Sequence, residues 1–195
     1  MKIPRSIAHR YDDPLSLVWL RTARQLGIEV ARSREVFASW DGAGTLTLGA
    51  DEDLDDDDCL AQMILHELCH ALVEGEVSHE QTDWGLDNTD DRDATREFAT
   101  LRLQAALLAP HGLRRMLAVT TDWRAAYDAL PLDPLAGDDE ATRLARAGWR
   151  RATDGPWAGP LRAALTATAA LAETTRAFTT EGSLWALVDL PEPPR

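Results

Sequence analysis

The chain has 195 residues, of which 45% are hydrophobic, so it can bury a sizeable core and wholesale disorder is excluded. Its 33 acidic residues outnumber its 20 basic residues and give a formal net charge of −13, which argues against a nucleic-acid surface and against binding to anionic membranes. Since neither a signal peptide nor an apolar run of ~18 residues is visible, we expect a cytoplasmic protein without a membrane span.

The N-terminal part of the chain is predicted to form a helix and a small sheet. Apolar residues recur at helical spacing over residues 14–26, and Gly27 then provides a helix stop. Short strands are predicted at 28–30, 35–40 and 45–49. The turn at 41–44 contains two glycines, so we expect the last two strands to form a β-hairpin.

An acidic run follows at residues 51–58, where seven of the eight side chains are carboxylates. We interpret it as a solvated loop that becomes the first turn of the next helix, because acidic groups there complement the helix dipole. A calcium site is the alternative, although the spacing does not match a standard calcium-binding loop.

The rest of the chain is predicted to be mainly helical. Two strong helices are expected at about 59–73 and 92–109, and weaker ones at about 113–129, 138–152 and 160–179. The fold class is therefore α+β, with a small hairpin or sheet beside the helix at 59–73. We predict a core domain at 1–130 and a predominantly α C-terminal extension at 131–195, packed on that core.

The two cysteines, Cys59 and Cys69, fall in one predicted helix. Ten residues of helix would separate them by about 15 Å along the axis, which is too far for a disulfide. We therefore expect two reduced thiols, and we interpret Cys69 as a buried thiol without a catalytic role.

The chemistry of the chain is indicated by the sequence His66-Glu67-Leu68-Cys69-His70, an H-E-x-x-H motif. Histidines four positions apart lie on one face of a helix, so both imidazoles can reach a single tetrahedral cation. They lie opposite an apolar stripe, which consists of Leu60, Ala61, Ile64, Leu65, Leu68, Ala71 and Leu72. This placement favours a polar cleft over a pair of core histidines.

A third protein ligand is needed, and it is expected on the second strong helix. Its packing stripe is predicted to contain Ala94, Phe98, Leu101, Ala105 and Leu108. Glu97 lies about 60° from the centre of that stripe and Asp93 about 100°, so Glu97 is better placed to reach a neighbouring helix. Asp93 remains the alternative ligand. His79 is a weaker one, because a loop histidine is more often exposed to solvent.

In these features the sequence resembles the ImmA/IrrE-like family of minimal bacterial zincins, over roughly residues 15–110. The likeness includes the first helix, the glycine and short strand within 26–30, the hairpin and the H-E-x-x-H helix. It also includes a later helix that carries Phe98-Ala99 and ends in Leu107-Leu108-Ala109-Pro110. It departs from the family at Cys69, where glycine is usual. The resemblance implies a zincin-like core and a gluzincin-type zinc peptidase, in which His66, His70 and Glu97 bind the metal and Glu67 is the general base.

The functional hypothesis is therefore a Zn²⁺-dependent metallohydrolase that acts on a peptide or protein substrate. Asp83, Asp87 and Asp93 are expected to orient the histidines. His111 is a candidate oxyanion donor, with a helix C-terminal cation as its plainer interpretation, and Trp84 is a candidate for the substrate cleft. The alternative function is a metal-stabilised protein-binding or regulatory module, a degenerate zincin without proteolytic activity.

Overall fold

The computed structural model describes residues 9–87, 91–120 and 122–189. Within these ranges the chain forms a three-stranded sheet, β1 Glu29–Ser33, β2 Ala38–Trp40 and β3 Thr45–Gly49. The α-helices of the same ranges are α1 Pro14–Gln25, α2 Leu60–Glu74, α3 Ala94–Leu108, α4 Arg124–Asp128, α5 Glu140–Asp154 and α6 Ala158–Thr175. The protein is therefore α+β and mainly helical, which confirms the predicted class at that level.

The ends of helix α1 are set by an N-terminal cap and by a glycine that follows the helix. The Asp13 carboxylate accepts a hydrogen bond from the Ser16 N–H at 2.7 Å, and Pro14 occupies the first turn, where its missing N–H has no helical partner to lose. After the helix, Gly27 adopts a φ of 81°, a conformation that glycine reaches without strain. The predicted helix and its stop are confirmed.

The sheet has the order β1-β3-β2, with β3 in the centre. Strand β2 pairs antiparallel with β3, which confirms the predicted hairpin, and β1 pairs parallel with β3 on its other side. Leu46 and Leu48 alternate along β3 and are fully buried, so one face of the central strand packs on the core.

Helix α2 lies in the centre of the fold and is buried along most of its surface. Its C-terminal carbonyls are capped from α5, because Arg151 Nη1 donates to Leu72 O at 2.5 Å and to Val73 O at 2.9 Å. Because α2 is covered by α1, α3 and α5, its histidine face packs on another helix and not on open solvent.

The acidic run does not form the first turn of α2, so that part of the prediction is wrong. Its residues form a 3₁₀ turn at Asp51–Asp53, and α2 begins only after Cys59, with no acidic residue in its first turn. The reason is a pair of hydrogen bonds made by Asp58. The Asp58 carboxylate accepts from the Asp55 N–H at 2.9 Å and also from the Thr120 hydroxyl, which holds the chain in a turn before the helix.

The predicted helix at 113–129 is also wrong, since α4 near its end is the only α-helix among the residues of this stretch that the structure describes, 113–120 and 122–129. Residues 116–119 are all buried, and side chains replace the helical partners of carbonyls in this segment. Tyr127 Oη donates to Arg114 O at 2.9 Å, and Gln104 Nε2 donates to Leu117 O at 2.8 Å. These bonds satisfy buried carbonyls without a helix.

Helices α5 and α6 complete the core, with α5 packed on both α2 and α3 and α6 packed on α1. One hydrophobic cluster joins buried residues from α1, the sheet, α2, α3, α5 and α6. None of the helices in the described ranges is long and apolar enough to cross a lipid bilayer.

Helix α5 packs closely against α2 and α3 at Gly148. A Cβ atom at this position would lie 2.8 Å from Leu103 Cδ2 and 3.3 Å from Leu72 O. We expect Gly148→Ala to lower the free energy of unfolding by about 1–3 kcal/mol, because Leu103 must shift and a backbone oxygen cannot. Urea denaturation measures this change.

Gly159 of α6 provides the matched control, since a Cβ there would meet no heavy atom within 4 Å. Gly159→Ala is expected to raise the free energy of unfolding by about 0.4–1 kcal/mol, because alanine loses less backbone entropy on folding. Equal effects of the two substitutions would show that α5 does not pack tightly at Gly148.

Candidate metal centre

Polar side chains of α2 and α3 pair along the line where these helices meet. Each step of four residues along α2 is matched by a step of four in the reverse direction along α3, in the pairs His66 with Gln104, His70 with Thr100, and Glu74 with Arg96. We call these three pairs the α2–α3 ladder. Because residues four apart share a helix face, the ladder fixes the antiparallel register of the two helices.

The first pair of the ladder fixes the tautomer of His66. Gln104 Nε2 donates to Leu117 O, so Gln104 Oε1 faces His66 Nδ1, at 2.9 Å. An amide oxygen can only accept a hydrogen bond, so His66 carries its proton on Nδ1. In the neutral ring Nε2 then keeps a free lone pair, which is the form that binds a cation.

Three potential ligand groups, from His66, His70 and Glu97, converge beside the ladder, and their ligand atoms lie within 4.8 Å of one another. The two imidazole Nε2 atoms are 3.1 Å apart. Glu97 Oε1 lies 3.4 Å from His66 Nε2, and Glu97 Oε2 lies 3.3 Å from His70 Nε2. These three residues could therefore hold a metal ion.

The electrostatics of this cluster favour a positive charge between its members. Burial raises the pKa of Glu97, but its hydrogen bond to His70 and the charges of His70 and His66 outweigh burial and lower the pKa to about 2. Burial lowers the pKa of His70, but the hydrogen bond and charge of Glu97 outweigh it, and its pKa lies above the usual value.

One atom of the cluster lacks a hydrogen-bonding partner. Glu97 Oε1 is buried and accepts no hydrogen bond from the described part of the chain, and the Glu97 side chain is only 13% exposed. A buried carboxylate oxygen without a donor is costly, and a bound cation would compensate that cost. The donor set of two imidazoles and one carboxylate therefore fits a metal ion.

Comparison with protein-family models, with curated proteins and with solved structures found no match to this chain. Interpretation of the centre therefore depends on its own geometry.

Glu67 lies next to His66 on α2 and is tied to a residue far along the chain. Trp84 Nε1 donates to Glu67 Oε2 at 3.0 Å. The Trp84 ring is 2% exposed and stacks on Trp40, with ring centroids 4.3 Å apart. Trp84 therefore does not line an open cleft, as the sequence suggested, and contacts Glu67 from within the fold.

The other sequence-based candidates lie outside the cluster. Asp93 precedes α3 and accepts from the Asp87 N–H at 2.8 Å. His79 stacks on Trp157, with ring centroids 5.2 Å apart. His111 lies at the other end of α3, about four turns or roughly 20 Å from Glu97, so a carbonyl at the cluster is out of its reach.

The residues that orient the histidines were assigned wrongly from the sequence. Asp83, Asp87 and Asp93 were expected in this role, but the imidazole partners are Gln104 and Thr100. The sequence does carry a signal for them, because Glu97, Thr100 and Gln104 follow one another at helical spacing of three and four on α3. Carboxylates are frequent partners of metal-bound histidine, which is the reason that the sequence favoured the aspartates.

Both cysteines are free thiols, as predicted. Cys69 is fully buried next to His70 in sequence, and burial raises the pKa of its thiol far above the usual value. A thiol held in its protonated form is a poor nucleophile and a poor metal ligand, so Cys69 does not take part in the cluster.

Proposed function

We propose that this protein is a zinc-dependent metallohydrolase with a zincin-like core, and that its substrate is a peptide or a protein. The observation that supports the proposal is the convergence of His66, His70 and Glu97, with Glu67 next to His66 on α2. Two histidines and a glutamate, with a separate glutamate as base, are the set used by catalytic zinc sites of the gluzincin type.

The spacing of the ligand atoms supports zinc. In a tetrahedral site with metal–ligand distances of about 2.0–2.2 Å, the ligand atoms are about 3.3–3.6 Å apart. In the cluster the two Nε2 atoms are 3.1 Å apart, and each lies 3.3 or 3.4 Å from a different oxygen of the Glu97 carboxylate, so the separations are close to those values. Nitrogen ligands also favour zinc over calcium and magnesium, which prefer oxygen.

Among the described residues, His66, His70 and Glu97 form a group of three possible ligands with no fourth, which would leave one position of a tetrahedral site for water or a substrate. A structural zinc site is usually closed by four protein ligands. His79 and Asp83 could have closed it, but His79 stacks on Trp157, and Asp83 Oδ1 accepts from the Trp40 N–H at 3.0 Å. Three protein ligands and a separate base support catalysis over a purely structural role.

Each residue of the centre then has a distinct task. The chemistry that zinc supplies at such a site is polarisation of a carbonyl group and a lowered pKa of water. His66, His70 and Glu97 would hold the ion, and Gln104 and Thr100 would fix the two imidazole rings.

Glu67 moves the proton in this proposal. Its carboxylate accepts a proton from the attacking water molecule and delivers it to the leaving amine nitrogen, which completes hydrolysis of the amide bond. Because the Trp84 N–H donates to Oε2, we assign the proton transfer to the other oxygen, Oε1.

Cleavage of defined peptides tests the proposal. We expect the zinc-loaded full chain to generate new products from a mixture of synthetic peptides, detected by mass spectrometry. A chelator should abolish these products, and added Zn²⁺ should restore them. Glu67→Gln, purified in the same way, is the control against a contaminating peptidase.

Two results would contradict the peptidase proposal. Products that persist with Glu67→Gln would come from another protein. An absence of products from wild type that holds a full complement of zinc would favour the alternative, a metal-stabilised protein-binding or regulatory module.

A further inference from the structure

We infer that Trp84 is a positioning residue, whose indole N–H holds the Glu67 carboxylate in one orientation beside the metal centre. The inference rests on the proposed function for its catalytic meaning, since it concerns the base of that reaction. Its structural part, the coupling of Trp84 to Glu67, stands without any substrate or metal.

The hydrogen bond has the geometry and the setting needed for this role. The distance from Trp84 Nε1 to Glu67 Oε2 is 3.0 Å, within the normal range for an N–H donor and a carboxylate. Glu67 is partly buried and Trp84 is 2% exposed, so water competes poorly for this bond. An indole can only donate, so it stabilises the ionised carboxylate and exchanges no proton with it.

The Trp84 ring is held from several directions. It stacks nearly parallel on Trp40 at an interplanar angle of 7°, and His79 contacts it edge-on at 5.8 Å between centroids. Trp40 Nε1 in turn donates to His79 O at 3.0 Å. Because these three rings fix one another, the Trp84 indole is already immobilised with its N–H directed at Glu67.

The backbone at Asp83 and Trp84 is strained, and this conformation directs the indole toward Glu67. Asp83 and Trp84 have φ values of 49° and 58°, a left-handed conformation that is unfavourable for side chains as large as tryptophan. The turn is secured by Asp83, whose carboxylate accepts from the Trp40 N–H. Such strain persists only where the surroundings enforce it, and here it directs the indole toward α2.

A role in orientation follows from these contacts. A general base must lie within hydrogen-bonding reach of the proton that it takes, and misplacement by about 1 Å can lower a rate by on the order of 100-fold. Trp84 occupies one oxygen of Glu67 and so directs the other. The sheet, through Trp40, and the turn at residues 82–85 thereby support a base that belongs to α2.

The test uses two matched substitutions in the full chain. Trp84→Phe keeps a ring for the stack on Trp40 and removes only the N–H donor. Trp19→Phe is the control, because Trp19 is also buried and its Nε1 donates to Thr168 Oγ1 at 3.1 Å, at the interface of α1 with α6. Both changes delete one buried indole hydrogen bond.

The first measurement is independent of metal and substrate. The chain contains seven tryptophans, so the ¹H–¹⁵N spectrum should hold seven indole signals, and Trp84→Phe identifies its own by loss. We expect the Trp84 signal to shift in Glu67→Gln while the Trp19 signal stays in place. An unmoved Trp84 signal would overturn the inference.

The second measurement is the hydrolysis rate of the zinc-loaded protein. We expect Trp84→Phe to lower kcat by on the order of tenfold to a hundredfold with little change in KM or in zinc content, and Trp19→Phe to leave kcat unchanged. An unchanged kcat in Trp84→Phe would overturn the positioning role. If wild type hydrolyses nothing, the proposed function fails, and a shifted Trp84 signal would still support the coupling of Trp84 to Glu67.

Discussion

Replacing Glu97 by alanine is expected to reduce bound zinc from about one ion per chain to nearly none. Glu97 supplies the carboxylate of the cluster, and without it two imidazoles would have to hold the ion with water alone. His66→Ala should have the same effect, because it removes the imidazole ring whose Nε2 would bind the ion and whose Nδ1 contacts Gln104. Elemental analysis of protein purified without added metal measures the zinc content.

The matched control for this prediction is Asp93→Ala, which removes a carboxylate immediately before the same helix. Asp93 bonds to the Asp87 backbone and lies outside the cluster, so zinc content should not fall. Loss of zinc in Asp93→Ala together with retention in Glu97→Ala would reverse the assignment of the third ligand.

Glu67→Gln is expected to lower the hydrolysis rate by roughly 10²–10⁴-fold while the protein keeps its zinc. Glutamine preserves the size of the side chain and can still accept the hydrogen bond from Trp84, but it cannot take a proton from water. The rate constant for one cleaved peptide and the zinc content of the same sample together measure this effect.

Retained zinc is essential to this prediction, because it separates loss of the base from loss of the ion. If the zinc content of Glu67→Gln falls in parallel with the rate, Glu67 has a role in metal binding and the assigned division of tasks fails. Full activity with full zinc would show that another group accepts the proton.

Much of the centre is encoded in local sequence. The spacing of His66 and His70 places them on one face of any helix that includes both, and the apolar stripe over residues 60–72 predicts that helix. For the third ligand the sequence offered two carboxylates at different angles around α3, and Glu97 was preferred to Asp93. That choice agrees with the cluster, even though Phe98, assigned to the packed stripe, is 38% exposed and contacts Trp123 edge-on.

The contacts of Glu67 depend on parts of the chain that no local pattern joins. Trp84 reaches Glu67 because Asp83 and Trp84 adopt positive φ values, which residues other than glycine rarely do. Its ring is then positioned by Trp40, which comes from an edge strand of the sheet. Such an arrangement is set by tertiary packing, so propensity and periodicity could not predict it.

The α2–α3 ladder restricts how the length of this chain can change in evolution. One residue inserted into α3 between Glu97 and Gln104 would rotate one of them by about 100° relative to the other, so they could no longer serve the same histidine pair. After an insertion in one helix, the pairing could be restored only if the register shifted along the whole contact between α2 and α3. We therefore expect homologous chains to accept insertions in the loops around α2 and α3 and to keep the interval from Glu97 to Gln104 constant.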